Sequence, residues 1–215
     1  TYNFYEELGE VEILSVTEAS GCTCFVFDES ISDCVNVTSG QNGNSSNVIG
    51  GGSKNCIKGD GLSENVIGGG SCNYISGSWN SIGGGCCNKV LGEFGTIAGG
   101  CCNYVCCQQS FVGGGKFNCA EGKCSFVGGG YSNSVVGCWS TIGAGYDNCV
   151  TGRCSFIGGG CSNNLSSHRG VLVGGSSNYT CSCNNVALVG GCLNIASGCC
   201  TFLGGGNQNH ACGEI

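Results

Sequence analysis

The stretch Ser125-Phe126-Val127-Gly128-Gly129-Gly130-Tyr131-Ser132-Asn133-Ser134-Val135-Val136-Gly137 decides the fold, because the chain repeats it. Asn recurs at 55, 73, 88, 103, 118, 133, 148, 163, 178, 194 and 209, in steps of 18, then 15, with a single 16. Three residues before every one of these Asn stands a Gly, and six residues before stands a branched aliphatic. That aliphatic column includes Ile82, Ile97, Val112, Val127, Ile142, Ile157, Leu172, Leu188 and Leu203. Two residues after the Asn the position is mostly apolar again, as at Ile75, Val90, Val105, Val135 and Val150. A fixed period carried by three columns outweighs any local propensity.

Fifteen residues are too few for a helical hairpin repeat, which takes about 33 or more. They suffice for one coil of a parallel β-solenoid: two short strands, each turning one aliphatic inward, and two turns. The pattern predicts an all-β roll of about eleven coils, roughly 50 Å long at about 4.8 Å per coil. In-register stacking sets Asn on Asn, so Asn73, Asn88, Asn103, Asn118, Asn133, Asn148 and Asn163 form an amide ladder at a corner. The corner assignment makes Asn the residue in the left-handed backbone region, which it tolerates well. The Gly run suits a turn with positive φ or a close backbone approach. Ala98, Val173 and Val189 stand at the first position of the run, which marks that position as the least constrained. About three inward apolar side chains per coil make a thin core for so much Gly-rich backbone. Shared faces between chains would thicken it, and the expectation is a homotrimer.

Composition narrows the alternatives. The 215 residues include 44 Gly, 23 Cys and no Pro or Met, and only 10% are charged. Collagen needs Gly at every third position and abundant Pro. Helix interiors tolerate Gly poorly. No run reaches the ~18 apolar residues of a membrane-spanning helix. The net charge is −7, and eight of the 14 acidic residues fall within the first 33 positions. From Lys54 onward the chain is nearly neutral, with no basic stripe of the kind that nucleic acid requires. The chain opens on Thr1 and shows no basic-then-apolar leader, so it reads as a processed product or a piece of a longer chain.

The unit at 125–137 resembles the head repeats of trimeric adhesins of the YadA-like type, and residues 155–167 repeat it with Ile157 for Val and Ser167 for the closing Gly. It is also similar to Gly-Gly-Gly/Asn repeats in fibres of tailed phages and other large viruses. The resemblance covers about residues 47–213. It implies a left-handed parallel β-roll, three chains per fibre and a role in surface attachment. The adhesin repeat is usually 14 residues, with Ala where this chain has Asn. No secretion signal, coiled-coil stalk or anchoring barrel is visible, which favours a virion surface over a bacterial cell surface. The leading expectation is a structural segment of a tail or head fibre. Its partners would be its own copies, other fibre or baseplate proteins, and a host receptor or glycan. A bacterial adhesin head is the alternative, and a glycan-degrading spike the third.

The ends depart from the period. Residues 1–35 are an acidic non-repeat segment, expected as a β cap or a junction; 36–54 form a degenerate first coil; 55–215 carry the repeats and end in an incomplete coil. Twenty-three Cys cannot all pair within one chain. They follow the repeat: Cys72, Cys87 and Cys102 share one column, and Cys86 and Cys101 the next. Two readings compete: a small apolar filler that stacks well, and coil-to-coil or chain-to-chain cross-linking. Zinc ligation would need clustered Cys pairs with His at fixed spacing, and only two His are present. No metal, cofactor or catalysis is expected. Paired carboxylates would be the signature of glycan cleavage, and Asp60 with Glu64, in the three-residue insertion, is the one plausible pair. Specific surface contacts are expected where the period is disturbed: at Asp60 and Glu64, at the Gln108-Gln109 turn, and at the His168-Arg169 turn.

Overall fold

A computed structural model describes residues 37–38, 47–58 and 64–213. The acidic segment 1–35 and residues 36 and 39–46 of the degenerate coil therefore lie outside the described residues, as does Asp60. The described chain is all-β, without a helix: a parallel β-solenoid of about eleven coils. Each coil contributes one strand of two or three residues to each of two sheets. Sheet I has eleven strands, from Val48–Ile49 to Phe202–Leu203; sheet II has twelve, from Val37–Thr38 to His210–Ala211. Successive coils pair in parallel and in register, as Val112 with Val127 and Val127 with Ile142. A third ladder of isolated bridges runs through Ser71, Cys86, Cys101, Lys116, Tyr131 and Tyr146. Among the described residues no helix is long and apolar enough to cross a membrane.

Strands this short alternate once, so one residue of each pair points inward. In sheet I the inward residues are Ile82, Ile97, Val112, Val127, Ile142, Ile157, Leu172 and Leu188, all fully buried. Leu203 continues their register but is only partly buried, because no further described strand of sheet I covers it. The inward residues of sheet II include Ile75, Val90, Val105, Val135, Val150 and Leu165. Two apolar residues per coil, not three, therefore make the core. The other two inward positions are polar: the repeat Asn, and a second position held by Asn65, Asn80, Ser110, Ser125, Ser140 and Ser155 in their coils.

The corners differ from expectation in one respect. The left-handed backbone residue is not the Asn but the residue before it, such as Cys87, Cys102, Ser132 or Asp147. A second left-handed position precedes the second inward polar column and is held by Trp79, Phe94, Gln109, Cys124, Trp139 and Cys154. Twenty of the described non-Gly residues take this conformation, all with φ between 53° and 59°. The physical reason is the amide direction: each left-handed residue turns its N–H back towards the preceding coil. Cys102 donates to the Cys86 carbonyl at 2.8 Å and Gln109 to the Glu93 carbonyl at 2.9 Å. Strand residues donate the other way, as Tyr104 does to the Asn118 carbonyl at 2.8 Å. The inter-coil hydrogen bond repays the strain of the uncommon conformation.

The Gly run is graded as well. Gly130 has φ 93°, and a Cβ there would collide with the Gly145 carbonyl of the next coil. The open position is the middle one: a Cβ at Gly99 would meet nothing within 4 Å. A Cβ at first-position Gly128 would strike the Gly143 carbonyl, so a side chain there requires that carbonyl to shift. By available space the first position is thus not the least constrained, although Ala98, Val173 and Val189 occupy it.

Candidate functional site

The interior is closed by two hydrogen-bonded ladders. In the first, the Oδ1 of Asn118 accepts the backbone N–H of Asn133 at 3.0 Å and its Nδ2 at 3.1 Å. The Nδ2 of Asn133 also donates to the carbonyls of Gly129 at 2.9 Å and Gly145 at 2.8 Å. Each amide thus ties its own Gly run to the coils on both sides. Asn73, Asn88, Asn103, Asn118, Asn133, Asn148 and Asn163 all take part and are almost wholly buried. The second ladder does the same work with smaller groups. Ser140 Oγ donates to the Gly152 carbonyl at 2.8 Å and accepts the Ser155 N–H at 3.0 Å. Asn80 Oδ1 accepts the Gly95 N–H at 2.7 Å. The sequence reading missed this second ladder, although Asn65, Asn80, Ser110, Ser140 and Ser155 are spaced by fifteen residues or multiples of it; Ser125 shares the column, but its hydroxyl has no partner.

Contact with other molecules is left to the outer columns. Sheet I turns out an uncharged column: Val48, Val66, Ser81, Thr96, Phe111, Phe126, Thr141, Phe156, Val171, Ala187 and Phe202. Val48, Val66, Phe126, Phe156, Val171 and Phe202 are among the exposed large hydrophobics, and Phe111 stacks on Phe126 with centroids 5.1 Å apart. Sheet II turns out a mixed column. There Lys89 lies over the rings of Tyr74 and Tyr104, at 5.7 and 5.9 Å. Cys119, half-buried in the same column, donates to Glu121 Oε1 at 3.2 Å; burial and then that carboxylate hold its thiol well above the usual range. At the corners Trp79 stacks on Phe94 at 4.9 Å, Tyr131 on Tyr146 at 5.3 Å, and Arg153 lies 5.3 Å from the Trp139 ring.

Of the positions expected to depart from the period, the Gln108-Gln109 and His168-Arg169 turns are second corners whose second residue is left-handed like that of other coils. Gln108 and Gln109 are exposed; Gln108 Nε2 donates to Glu93 Oε2 at 3.0 Å, and Gln109 Oε1 accepts from the Cys124 thiol at 3.2 Å. His168 and Arg169 are exposed; His168 Nδ1 accepts the Arg153 N–H at 3.0 Å, and Arg169 N–H donates to the Arg153 carbonyl at 2.9 Å. Glu64 is exposed at the start of its coil. Since Asp60 lies outside the described residues, the expected pair is not brought together within them. Among the described residues no three His, Cys, Asp or Glu side chains are placed to hold a metal ion.

No protein-family model matches the chain, and no curated protein is significantly similar to it. What this surface offers chemically is repetition: long columns of like groups at a fixed spacing.

Proposed function

We propose that the chain is a structural segment of a virion fibre, of the tail or head fibre kind carried by tailed phages, and that it supports attachment to a host. The observation that carries this reading is the unbroken in-register stack, in which two polar ladders brace a core only two apolar residues wide. Such a stack supplies stiffness and reach rather than recognition of one small ligand. In this reading it acts by contact and shape, without catalysis.

The assembly is a homotrimer of left-handed rolls, with the outer column of sheet I facing the axis. That column carries no charge along its length and exposes Phe126 and Phe156. Copies related by an axis parallel to the stack set like coils side by side, so one apolar column covers another. Receptor contacts are then summed over three chains, each individually weak. Sedimentation velocity should return three times the chain mass of 21.6 kDa. Replacing Phe126 and Phe156 together by Lys should give folded monomers. A wild-type monomer would remove the trimer.

The fibre itself is tested by immuno-electron microscopy of native material. Label along virion fibres supports the reading. Label on a bacterial envelope replaces it with the adhesin head, and label on neither overturns both.

A further inference from the structure

The first corner carries two adjacent surface columns, and over successive coils both become cysteine. The residue after the Gly run is Ser71, then Cys86, then Cys101, joined coil to coil by parallel bridges. The left-handed residue that follows is Cys72, then Cys87, then Cys102. Within a coil the thiols touch: Cys86 and Cys87 sulfurs are 3.3 Å apart, and Cys101 and Cys102 sulfurs 3.4 Å. Cys86 and Cys87 are exposed, and Cys101 and Cys102 half-buried. The register between the two coils is held on both sides of the thiols. Cys86 N–H donates to the Gly100 carbonyl at 2.9 Å, Cys102 N–H to the Cys86 carbonyl at 2.8 Å, and Asn103 N–H to Asn88 Oδ1 at 3.0 Å.

The direction of bonding follows from spacing. Neighbouring Cα atoms across a trans peptide are about 3.8 Å apart, closer than the ~4.4 Å minimum a disulfide usually spans. Residues stacked in register are about 4.8 Å apart, inside that span. Bonds along the axis are therefore favoured over bonds within a Cys-Cys pair.

We propose that Cys86–Cys101 and Cys87–Cys102 are twin coil-to-coil disulfide staples, formed by exchange with a low-molecular-weight disulfide such as oxidised glutathione. One thiolate attacks a glutathione sulfur, forming a mixed disulfide and releasing the first glutathione. The stacked thiol loses its proton to solvent, attacks the protein sulfur of that mixed disulfide, and releases the second. Each staple thus reduces one oxidised glutathione to two thiols, a transfer of two electrons. The hydrogen bond with Cys87 pushes the Cys86 thiol up to about 11, helped by lost hydration and by Cys87, Cys101 and Cys72 around it. Cys102 is raised too, first by its hydrogen bond with Cys101, against the opposing charge of Lys116. Both steps need a thiolate, so the raised Cys86 and Cys102 thiols slow closure at neutral pH, and staple closure should speed up as pH rises towards about 11.

The test uses the full chain in a glutathione buffer, alkylated after denaturation without reduction and cleaved after Lys. Cleavage at Lys58, Lys89 and Lys116 separates peptide 59–89, with Cys72, Cys86 and Cys87, from 90–116, with Cys101, Cys102, Cys106 and Cys107. The expected product joins the two peptides by two disulfides, about 4 Da lighter than the same pair with those four thiols reduced, with Cys72, Cys106 and Cys107 alkylated and fragment ions placing the bonds at Cys101 and Cys102. Cys86→Ser, modest because Ser71 fills the same column one coil earlier, should leave one bond, Cys87–Cys102. The proposal is overturned if all four thiols are alkylated, if bonds form within the 86–87 and 101–102 pairs, or if the linkage joins separate chains on a non-reducing gel. A closure rate that does not rise between neutral and alkaline pH overturns the thiolate exchange step.

Discussion

The two corners of each coil meet the same physical demand with different chemistry. At both, a left-handed residue turns an amide back and an inward polar side chain bridges to the next coil. The first corner admits only Gly three residues before the bridge and only Asn at the bridge, through eleven coils without change of length. The second accepts Asn, Ser, Gly, Val or Thr at the bridge, as at Asn80, Ser140, Gly170, Val186 and Thr201. It also takes every irregularity: the segment that lengthens one step to 18 follows Lys58, and the extra residue of the 16-step falls between Cys181 and Asn185. The difference lies in how many bonds one side chain makes. An Asn amide binds its own Gly run and both neighbouring coils; a Ser hydroxyl makes about half as many contacts. The more bonds a residue holds in register, the less its corner can change.

The sharpest way to break this contrast is insertion. One Gly added after Gly130 should abolish the cooperative unfolding transition in far-UV circular dichroism, because it shifts Asn133 out of its ladder. One Gly added after Lys123 should leave a folded protein, since the second corner already accommodates an extra residue elsewhere. Equal damage from both would show that the corners are equivalent. Next in size is Asn118→Ala, which strands the buried Asn133 N–H and the part-buried Gly114 carbonyl, while the Gly130 carbonyl still accepts the Lys116 N–H. At about 1–3 kcal/mol per unsatisfied group, the loss should reach about 2–5 kcal/mol in urea unfolding. Ser140→Ala removes a donor to Gly152 and an acceptor for Ser155; about 2 kcal/mol is expected by the same measure. Smallest is Ser125→Ala. The Ser125 hydroxyl is buried with no hydrogen-bond partner, so its loss should change the denaturation midpoint little or raise it slightly.

Much of this was legible in the sequence because side-chain character repeats wherever the interior allows one solution. Val127 and Val135 lie under their neighbours on both sides, and Asn133 has no substitute that both donates and accepts at that depth. What escaped was governed by backbone. A left-handed Trp79, Phe94 or Cys124 has no signature in composition, because the conformation is set by amide direction and not by the side chain. The second ladder escaped because Ser, Asn and Thr can all fill it, so no single letter marks the column. Counting three apolar residues per coil overlooked how much of the interior is amide and hydroxyl. The Gln108-Gln109 and His168-Arg169 turns were expected as breaks in the period, yet Gln109 and Arg169 keep the left-handed backbone of other coils; only His168 differs, by a bridge to Asn184 in the coil that carries the extra residue.

In-register pairing also makes length a counted quantity. Each coil meets its neighbours through the same Gly, Asn and aliphatic columns, so Val112 sees in Ile97 and Val127 what Val127 sees in Val112 and Ile142. Removing the fifteen residues 103–117 would set Asn118 where Asn103 stood, opposite Asn88, and the Asn ladder and both aliphatic columns would close again. Duplication or loss of one coding unit therefore changes reach by one step of about 4.8 Å. A lineage carrying this fold can tune how far it extends in whole coils, as one lengthens a chain by links, without redesigning a single contact.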